Sequence, residues 1–478
     1  MMTTSVLYAS LPLLIVAFTA IVVMLGIGVR RNHRAAAAIS FVGLTLAFGS
    51  LWAASAATPV QITSLLTIDR YALLYMGLVL AASAAVVLLS FSYLEVRPEH
   101  KEEFYLLLLL ATVGSMVLTA SGHMTSFFLG LELLSISLYA LISYPRTEAL
   151  PLEAGIKYLV LAASSSAFLL FGLALIYVVQ GTMEFARMAL PSAEGAAGFA
   201  YLAGIVLVIT GIGFKLAVVP FHLWTPDVYQ GAPLPVTAFV ATVSKAGVFA
   251  FLLRWLWPGG READAPVIMI VGIIAIASML VGNLLALRQT NIKRLLAYSS
   301  IAHMGYFLVA VAAGGSLGKA AATYYLAAYV VTILGSFGSL LVLSGHAREA
   351  ETFDDIRGLF WRRPVVASVF TAMVLSLAGI PLTAGFLGKF YVLAAGASAA
   401  AWALVVVLIV SSTIGLVYYL RVIVAMFADA APTVTDTPEG TPGISSGIVL
   451  AALTLVLFVL GVYPTPFWNT ISAATLGS

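Results

Sequence analysis

Cysteine is absent from all 478 residues of the chain. Without a thiol, the chain can form no disulfide, hold no thiolate-bound iron–sulfur cluster and offer no cysteine nucleophile. It also lacks the glycine-rich GxGxxG and GxxxxGKS/T loops of nucleotide sites and the HExxH pattern of zinc enzymes. We therefore expect neither a cofactor nor a metal in this chain, and any redox chemistry must belong to partner proteins.

Charged residues are also scarce, because they make up only 9% of the chain, whereas 62% of the residues are hydrophobic. Soluble domains carry about 25% charged residues, so this composition is that of a protein embedded in a lipid bilayer. The formal charge of +3 is small and dispersed, which excludes a nucleic-acid partner. The simplest organisation is one continuous membrane domain over residues 1–478.

Apolar runs of membrane-spanning length recur from one end of the chain to the other. Backbone groups in hydrocarbon need internal partners, so each run must be a helix; the short alternating strands of a membrane barrel are not seen. The first run is too long for a signal-peptide core, so we expect it to be retained as a span. The predicted fold class is an all-α polytopic membrane protein with fourteen transmembrane helices, near 5–29, 35–56, 71–94, 104–120, 123–144, 155–180, 199–228, 234–256, 266–287, 296–315, 321–344, 365–395, 401–427 and 446–464.

The positive charges between these spans predict the orientation of the chain, because cytoplasmic loops carry an excess of Lys and Arg. The loops on the side of the termini hold five: Arg70, Arg187, Arg254, Arg261 and Lys319. The opposite loops hold fourteen: Arg30, Arg31, Arg34, Arg97, Lys101, Arg146, Arg288, Lys293, Arg294, Arg348, Arg357, Arg362, Arg363 and Arg421. We therefore expect both termini on the periplasmic side of a bacterial inner membrane.

Five charged residues remain inside the predicted spans: Glu132, Lys157, Lys215, Lys245 and Lys389. Each charge at mid-bilayer costs roughly 2.5 to 3.5 kcal/mol, so the set represents on the order of 10 kcal/mol. A penalty of this size indicates that the residues have a function. The alternative is that each is neutral, or paired, and serves only packing.

The depth of each residue separates these two interpretations. Glu132, Lys215 and Lys245 lie too deep for their side chains to reach water, which favours function. Lys389 lies where the end of its span is blurred, so its ammonium could reach an interface. Lys157 enters its span by about one turn and could equally extend to the surface. His303 titrates in a suitable pH range but could equally be a satisfied buried histidine.

Buried lysines are suited to proton transfer because desolvation disfavours the charged amine and a nearby carboxylate favours it. If Glu132 approaches Lys215, the amine should hold its proton; if the carboxylate moves away, the amine should release the proton to the next acceptor. The sequence therefore suggests a gate formed by one movable ion pair.

Two of the predicted spans contain a proline close to a buried lysine. Pro220 follows Lys215 in GFKLAVVPFHLW, and Pro381 precedes Lys389 in AGIPLTAGFLGKF, so each helix should be broken there. Matching breaks in two halves are typical of inverted-repeat transporters. The predicted units are the first three helices (1–103), a first repeat (104–256), a second, inverted repeat (266–427) and a last helix (446–464). The symmetry is imperfect, because the second repeat has no counterpart of Glu132 unless His303 takes that role.

Three long motifs carry a family resemblance: GFKLAVVPFHLWTPDVYQGAPLPVTAFVATVSKAGVF, NIKRLLAYSSIAHMGY and AGIPLTAGFLGKFYVL. They resemble the antiporter-like membrane subunits of the respiratory NADH:quinone oxidoreductase, complex I, across nearly the whole chain. The resemblance implies fourteen helices in which Glu132 of the fifth span and the lysines of the broken seventh and twelfth spans transfer protons. Lys245 and the absence of a long lateral helix resemble the N-type branch more than the L- and M-type branches.

The resemblance also implies what drives the protons. FMN and iron–sulfur clusters in partner subunits would pass electrons from NADH to quinone, and antiporter-like M-type and small K- and J-type subunits would be neighbours in the bilayer. Two other functions stay open from the residues alone. One is a cation/proton antiporter subunit without a redox partner, and the other is a passive membrane scaffold, which leaves the buried charges unexplained.

Overall fold

The chain was analysed as a computed structural model. The structure describes residues 4–95, 97, 101–188, 195–257, 265–345, 348–429 and 443–475. Helices account for nearly all of the described chain. They are α1 (Thr4–Val29), α2 (His33–Ala57), α3 (Arg70–Glu95), α4 (Glu102–Ala120), α5 (Met124–Ile142), α6 (Ala149–Gln180), α7 (Gly195–Leu216), α8 (Trp224–Gly231), α9 (Leu234–Phe239), α10 (Lys245–Leu256), α11 (Ala265–Ala286), α12 (Ile292–Ala313), α13 (Gly315–Leu343), α14 (Phe353–Ile356), α15 (Leu359–Arg362), α16 (Pro364–Ala378), α17 (Ala384–Ser398), α18 (Trp402–Phe427), α19 (Ile444–Val462) and α20 (Thr465–Thr475).

Thirteen helices in the described part of the chain are long and apolar enough to cross a membrane. The run Leu234–Leu256 counts as one of them, because a π-helical turn at Val240–Ser244 joins α9 to α10. The predicted twelfth span is divided into α16 and α17, each of 15 residues. Together these make the fourteen predicted spans, and the all-α polytopic class is confirmed.

Three spans form the centre of the bundle. The α9–α10 run and α13 are buried along the whole of their apolar stretch, and α12 is buried along most of it. By contrast, α1 and α19 present most of their surface outward, where lipid would lie. Side chains on the central spans are therefore shielded on every side by other helices.

A small β hairpin lies on the same side of the bundle as the start of α3. Its strands β1 (Val60–Gln61) and β2 (Thr67–Ile68) are antiparallel, and Val60 pairs with Ile68. An isolated bridge between Leu66 and Ser121 ties the hairpin to the end of α4. This hairpin thereby connects the three N-terminal helices to the next part of the chain.

Close contact between glycines brings α4 against α5, the helix that carries Glu132. A Cβ added to Gly114 would lie 2.7 Å from the backbone nitrogen of Leu134 and 2.8 Å from the carbonyl oxygen of Gly130. Small residues are the usual means by which transmembrane helices approach closely, since no hydrophobic effect drives them together within lipid. Glu132 lies on α5 and faces α6, so its position depends on this close glycine contact between α4 and α5.

We predict that Gly114→Ala pushes α5 away from α4 and destabilises the protein by about 1–3 kcal/mol, the usual cost of overpacking. Thermal unfolding of the purified protein in detergent measures this as a lower midpoint. Gly28→Ala in α1 is the matched control, because a Cβ there meets nothing within 4 Å. Equal midpoints for the two variants would show that the α4–α5 contact is not tight.

Candidate functional site

Lys215 lies in the last turn of α7, and its ammonium is surrounded by neutral groups. Its Nζ donates to the hydroxyl of Ser135 at 2.6 Å and lies 3.4 Å from the hydroxyl of Tyr158. The residue is only 2% exposed, so the amine has no direct access to water. Two hydroxyls are weaker partners than a carboxylate, which leaves the cost of the charge largely uncompensated.

Glu132 and Lys215 are close but do not form the ion pair that the sequence suggests. The carboxylate accepts a hydrogen bond from Ser166 of α6 at 2.6 Å, while the amine bonds Ser135, one turn further along α5. The structure therefore shows the two groups in a separated arrangement.

Lys245 follows directly on the π-helical turn and is fully buried. Its Nζ donates to the hydroxyl of Ser300 on α12 at 2.5 Å. Ser300 also bonds Tyr329 of α13 at 2.5 Å and Tyr229 of α8 at 3.3 Å. A π turn inside a helix often marks a functional position, because it shifts the side chains that follow. Four helices meet through this one serine.

His303 lies one turn beyond Ser300 on α12 and uses both ring nitrogens. Its Nδ1 is 2.7 Å from the hydroxyl of Tyr325, and its Nε2 is 3.0 Å from the hydroxyl of Tyr419. A neutral imidazole has one donor and one acceptor nitrogen, so one tyrosine accepts and the other donates. Exchange of these roles would move a proton across the ring.

Lys389 lies beyond the second break, on α17. Its Nζ donates to the carbonyls of Leu377 and Ala378 at 2.8 and 2.9 Å and to the hydroxyl of Ser412 at 2.9 Å. These carbonyls belong to the last turn of α16, where backbone oxygens lack helical partners and the helix dipole favours a cation. The broken helix therefore supplies the partners of this amine.

Further hydroxyls occupy the space between His303 and Lys389. Asn283 of α11 bonds the hydroxyls of Tyr306 and Tyr418, both at 2.9 Å. The ammonium of Lys389 lies 5.2 Å from the centre of the Tyr306 ring, within the range of a cation–π contact. The polar side chains around His303 thus extend through Tyr306 to the neighbourhood of Lys389.

Lys157 differs from the other lysines because it lies at the rim of the bundle. Its Nζ pairs with Glu153 at 2.7 Å and with Asp227 at 2.8 Å, and its side chain is 42% exposed. Asp227 also pairs with Arg294 at 2.8 Å. This geometry matches the alternative in which the lysine reaches the surface, and a proton-transfer role for Lys157 stays a prediction.

The two prolines lie in the interruptions. Pro220 lies in the segment 217–223 between α7 and α8, and Pro381 lies in the segment 379–383 between α16 and α17. In the first interruption the indole of Trp224 donates to the carbonyl of Phe214 at 2.9 Å. A carbonyl at the first break is therefore bonded by the side chain of Trp224 and not by the nearby lysine. At the second break, the nearby lysine itself bonds the carbonyls.

Several participants are absent from the predicted set. They are Asp227, which lies in α8, and the hydroxyls bonded to the amines and to the imidazole. Helical spacing could have found some of them, because Ser299, Ser300 and Tyr306 lie four residues before, three before and three after His303. The tyrosines of other helices give no such signal, since only the tertiary contact selects them.

A half-buried carboxylate outside the spans fixes the start of the helix run that carries Lys245. Glu349 accepts from the backbone nitrogen of Leu234 at 3.0 Å, from Lys293 at 2.7 Å and from the hydroxyl of Tyr93, and Arg97 lies 4.0 Å away. Burial would raise the pKa of Glu349, but Lys293 and the hydrogen bonds outweigh it, so the pKa lies below its ordinary value. Lys293, assigned to a loop from the sequence, is in fact buried in the first turn of α12.

Thirteen candidate spans in the described chain and a divided fourteenth, with three buried lysines and a buried histidine bonded to hydroxyls and carbonyls, define a polytopic membrane protein built to handle ions. The chain belongs to the family of the NADH-quinone oxidoreductase subunit N. Residues 121–415 match the family model described as the transmembrane part of NADH:quinone oxidoreductase and Mrp antiporters. Subunit N of NADH-quinone oxidoreductase from Ectopseudomonas mendocina is 49% identical, over 98% of this chain and 97% of that protein.

Solved structures share this fold. A chain of respiratory complex I from Thermus thermophilus with bound aureothin is 32% identical, with a TM-score of 0.84 over 97% of this chain and all of that one. A chain of an archaeal membrane-bound sulfane sulfur reductase is 27% identical, with a TM-score of 0.84 over 99% of this chain and 97% of that one. A chain of the Mrp complex from Dietzia has the same TM-score over 98% and 97%, but at 21% identity it shows the fold alone.

We predict that Glu349→Gln lowers the stability of the folded protein by roughly 3 kcal/mol at neutral pH, because Lys293 is left buried without a counter-charge. The low pKa of Glu349 means that the ion pair stabilises the protein above the ordinary carboxyl pKa of about 4.3, and that this contribution is lost as pH falls through the folded pKa. Thermal unfolding at several pH values should show a difference from the native protein that is full at pH 7 and shrinks in acid.

Glu148→Gln is the control for this charge removal, since Glu148 is exposed and its variant should unfold like the native protein at every pH. A difference for Glu349→Gln that stayed constant down to acid pH would contradict the assignment of an ionised Glu349.

Proposed function

We propose that this chain is a proton-translocating membrane subunit of a respiratory NADH:quinone oxidoreductase, with Glu132, Lys215, Lys245, His303 and Lys389 as its proton relay. One observation carries the relay: three buried ammonium groups at successive positions through the bundle are bonded only to hydroxyls and backbone carbonyls. Such groups lie near the balance between protonated and neutral forms, so small changes around them move protons. Family membership supports the wider function.

One part of the relay is formed by the carboxylate of Glu132 and the amine of Lys215. Ser135 lies one turn from Glu132 on the same helix and already holds the amine of Lys215 at 2.6 Å. A small shift of α5 toward α7 would bring the carboxylate to the amine and hold the proton there. When the carboxylate returns to Ser166, the attraction is lost and the amine releases the proton.

The central part of the relay joins Lys245 to His303 through hydroxyls. Lys245 donates to Ser300, which bonds Tyr329, while His303 on the next turn bonds Tyr325, one turn earlier on α13. Hydroxyls both donate and accept, so each can receive a proton on one side as it gives one up on the other. In this proposal the proton comes from the cytoplasm near Lys245.

Lys389 is the last amine of the relay and borders an opening. A cavity of about 290 Å³ between α16, α17 and α18 is lined by Lys389 and Ser412. Its amine is bonded to two neutral backbone carbonyls at the break. When the proton leaves the amine, no unpaired negative charge remains beside it. We therefore place release toward the periplasm here.

Energy for this movement would come from other subunits. The chain has no cysteine, and no cluster of metal-ligating side chains occurs among the described residues. In the proposed complex, FMN and iron–sulfur clusters in partner subunits carry electrons from NADH to a quinone. M-type and small K- and J-type subunits are the proposed neighbours within the bilayer.

The alternative is a cation/proton antiporter subunit that runs on an ion gradient. The shared fold of the Mrp complex chain is consistent with it, but at 21% identity that likeness shows fold alone. The 49% identity to an oxidoreductase subunit over 98% of the chain favours the redox-driven function. Genes for flavin and iron–sulfur subunits beside the gene for this chain would decide for the redox-driven function.

We predict that Lys215→Ala abolishes proton translocation coupled to NADH oxidation in the assembled complex, because the gate loses its amine. Quenching of a pH-sensitive dye in inverted vesicles measures the protons moved per NADH oxidised. Lys101→Ala, on a loop between α3 and α4, is the matched control and should pump normally. Full translocation by an assembled Lys215→Ala complex would remove this amine from the mechanism.

The proposed orientation, with both termini periplasmic, can be tested because the chain has no native cysteine. Ser64 lies in the exposed connection between α2 and α3, and Thr147 lies in the exposed connection between α5 and α6. A membrane-impermeant maleimide applied to cells with a permeable outer membrane should label Ser64→Cys, and should label Thr147→Cys only after the inner membrane is opened. The reverse pattern would invert the orientation.

A further inference from the structure

A deep apolar groove opens on the outer surface of the bundle between α2, α3, α13, α19 and α20, with a volume of about 520 Å³. It lies away from the relay. Two of its lining residues carry hydroxyls, Tyr75 and Thr323, and these bond each other at 2.9 Å. Because its polar groups already have partners, the groove provides no recognition of a polar ligand and suits a hydrocarbon chain.

The groove has the length of one membrane leaflet. It follows α3 from Leu73 to Ala85, which are twelve helical steps or about 18 Å apart at 1.5 Å per residue. Half of the hydrocarbon thickness of a bilayer is about 15 Å. The groove begins at the end of α3 on the side of the chain termini, where α20 also lies, and Phe467 of α20 lines it. It therefore spans the leaflet on the terminal side.

A free cation lies at the head of the groove. Arg70 is the first residue of α3 and precedes the lining residues Leu74, Gly77 and Ala81 at helical spacing, so all four share one face. Arg70 is exposed and makes no ion pair with the described residues.

The neighbouring carboxylate is not available to Arg70. Asp69 is held by Arg254, whose two terminal nitrogens lie 2.8 and 2.9 Å from its oxygens. Helix α20, which crosses the head of the groove, has no charged residue in Thr465–Thr475, and its Trp468 is of the type enriched at membrane interfaces. Among the described residues, the head of the groove therefore carries a positive charge without an ion-pair partner, at the expected depth of lipid headgroups.

We propose that this groove binds one acyl chain of an anionic phospholipid from the terminal-side leaflet, with the phosphate against Arg70. A guanidinium matches phosphate geometry with two parallel hydrogen bonds. This site rests on the proposed function in one respect only: the proposed orientation of the chain makes the terminal-side leaflet the periplasmic one. Because lipid retention is measured without pumping, the site and the relay can fail independently.

Two variants separate the acyl chain from the headgroup. Ala81 is exposed within the groove, so Ala81→Phe should fill it without disturbing the buried core, whereas Arg70→Gln removes only the cation. Ala451→Phe is the matched control, because Ala451 is exposed on α19 and does not line the groove. The whole complex is assembled in nanodiscs of equal phosphatidylglycerol and phosphatidylcholine, and the phospholipids it retains are counted by native mass spectrometry.

The native protein and Ala451→Phe should retain one phospholipid more than Ala81→Phe. Arg70→Gln should keep the lipid but lose its preference for phosphatidylglycerol, a change of about fivefold for one interfacial charge. Equal retention in all four proteins would overturn the proposal. Recovery of a quinone in place of the lipid, or cross-linking of Ala81→Cys to a neighbouring subunit, would overturn it as well, since another molecule would then occupy the groove.

Discussion

Burial of lysine ammonium groups at membrane depth is the constraint on which the rest of this structure depends. Each of Lys215, Lys245 and Lys389 needs partners for its N–H groups, and each finds hydroxyl or carbonyl oxygens on other helices. A carboxylate within bonding distance would hold the charge firmly, while a purely apolar surrounding would force the amine neutral. Neutral hydrogen-bond acceptors leave both forms accessible, and that is what proton transfer requires.

The two broken spans meet this constraint in different ways. The carbonyls at the end of α16 accept directly from Lys389. By contrast, the carbonyl of Phe214 in α7 accepts from the backbone nitrogen of Ala217 and from the indole of Trp224. Lys215 must therefore rely on Ser135, on the helix that also carries Glu132. The amine of α7 thus bonds to the helix that also carries a carboxylate, whereas the amine of α17 bonds to the backbone of α16.

Acidic residues are kept mainly at the edges of the bundle, where they position the elements that carry the amines. Asp227 joins Lys157 of α6 to Arg294 of α12, and Glu349 joins α12 to the start of the α9–α10 run. These ion pairs fix the ends of the helices that present the relay. The same division holds on the terminal side, where Asp69 is committed to Arg254.

The sequence by itself determined the class and the set of apolar spans, because burial in hydrocarbon imposes length and composition on each helix. It also located the interruptions, since proline cannot continue a helix. Only the tertiary structure decided which groups meet: that Glu132 bonds Ser166 instead of Lys215, that Tyr329 and Tyr325 of α13 serve Ser300 and His303, and that Lys293 is buried. Those contacts join residues far apart in the chain, and no local pattern records the packing of one helix against another.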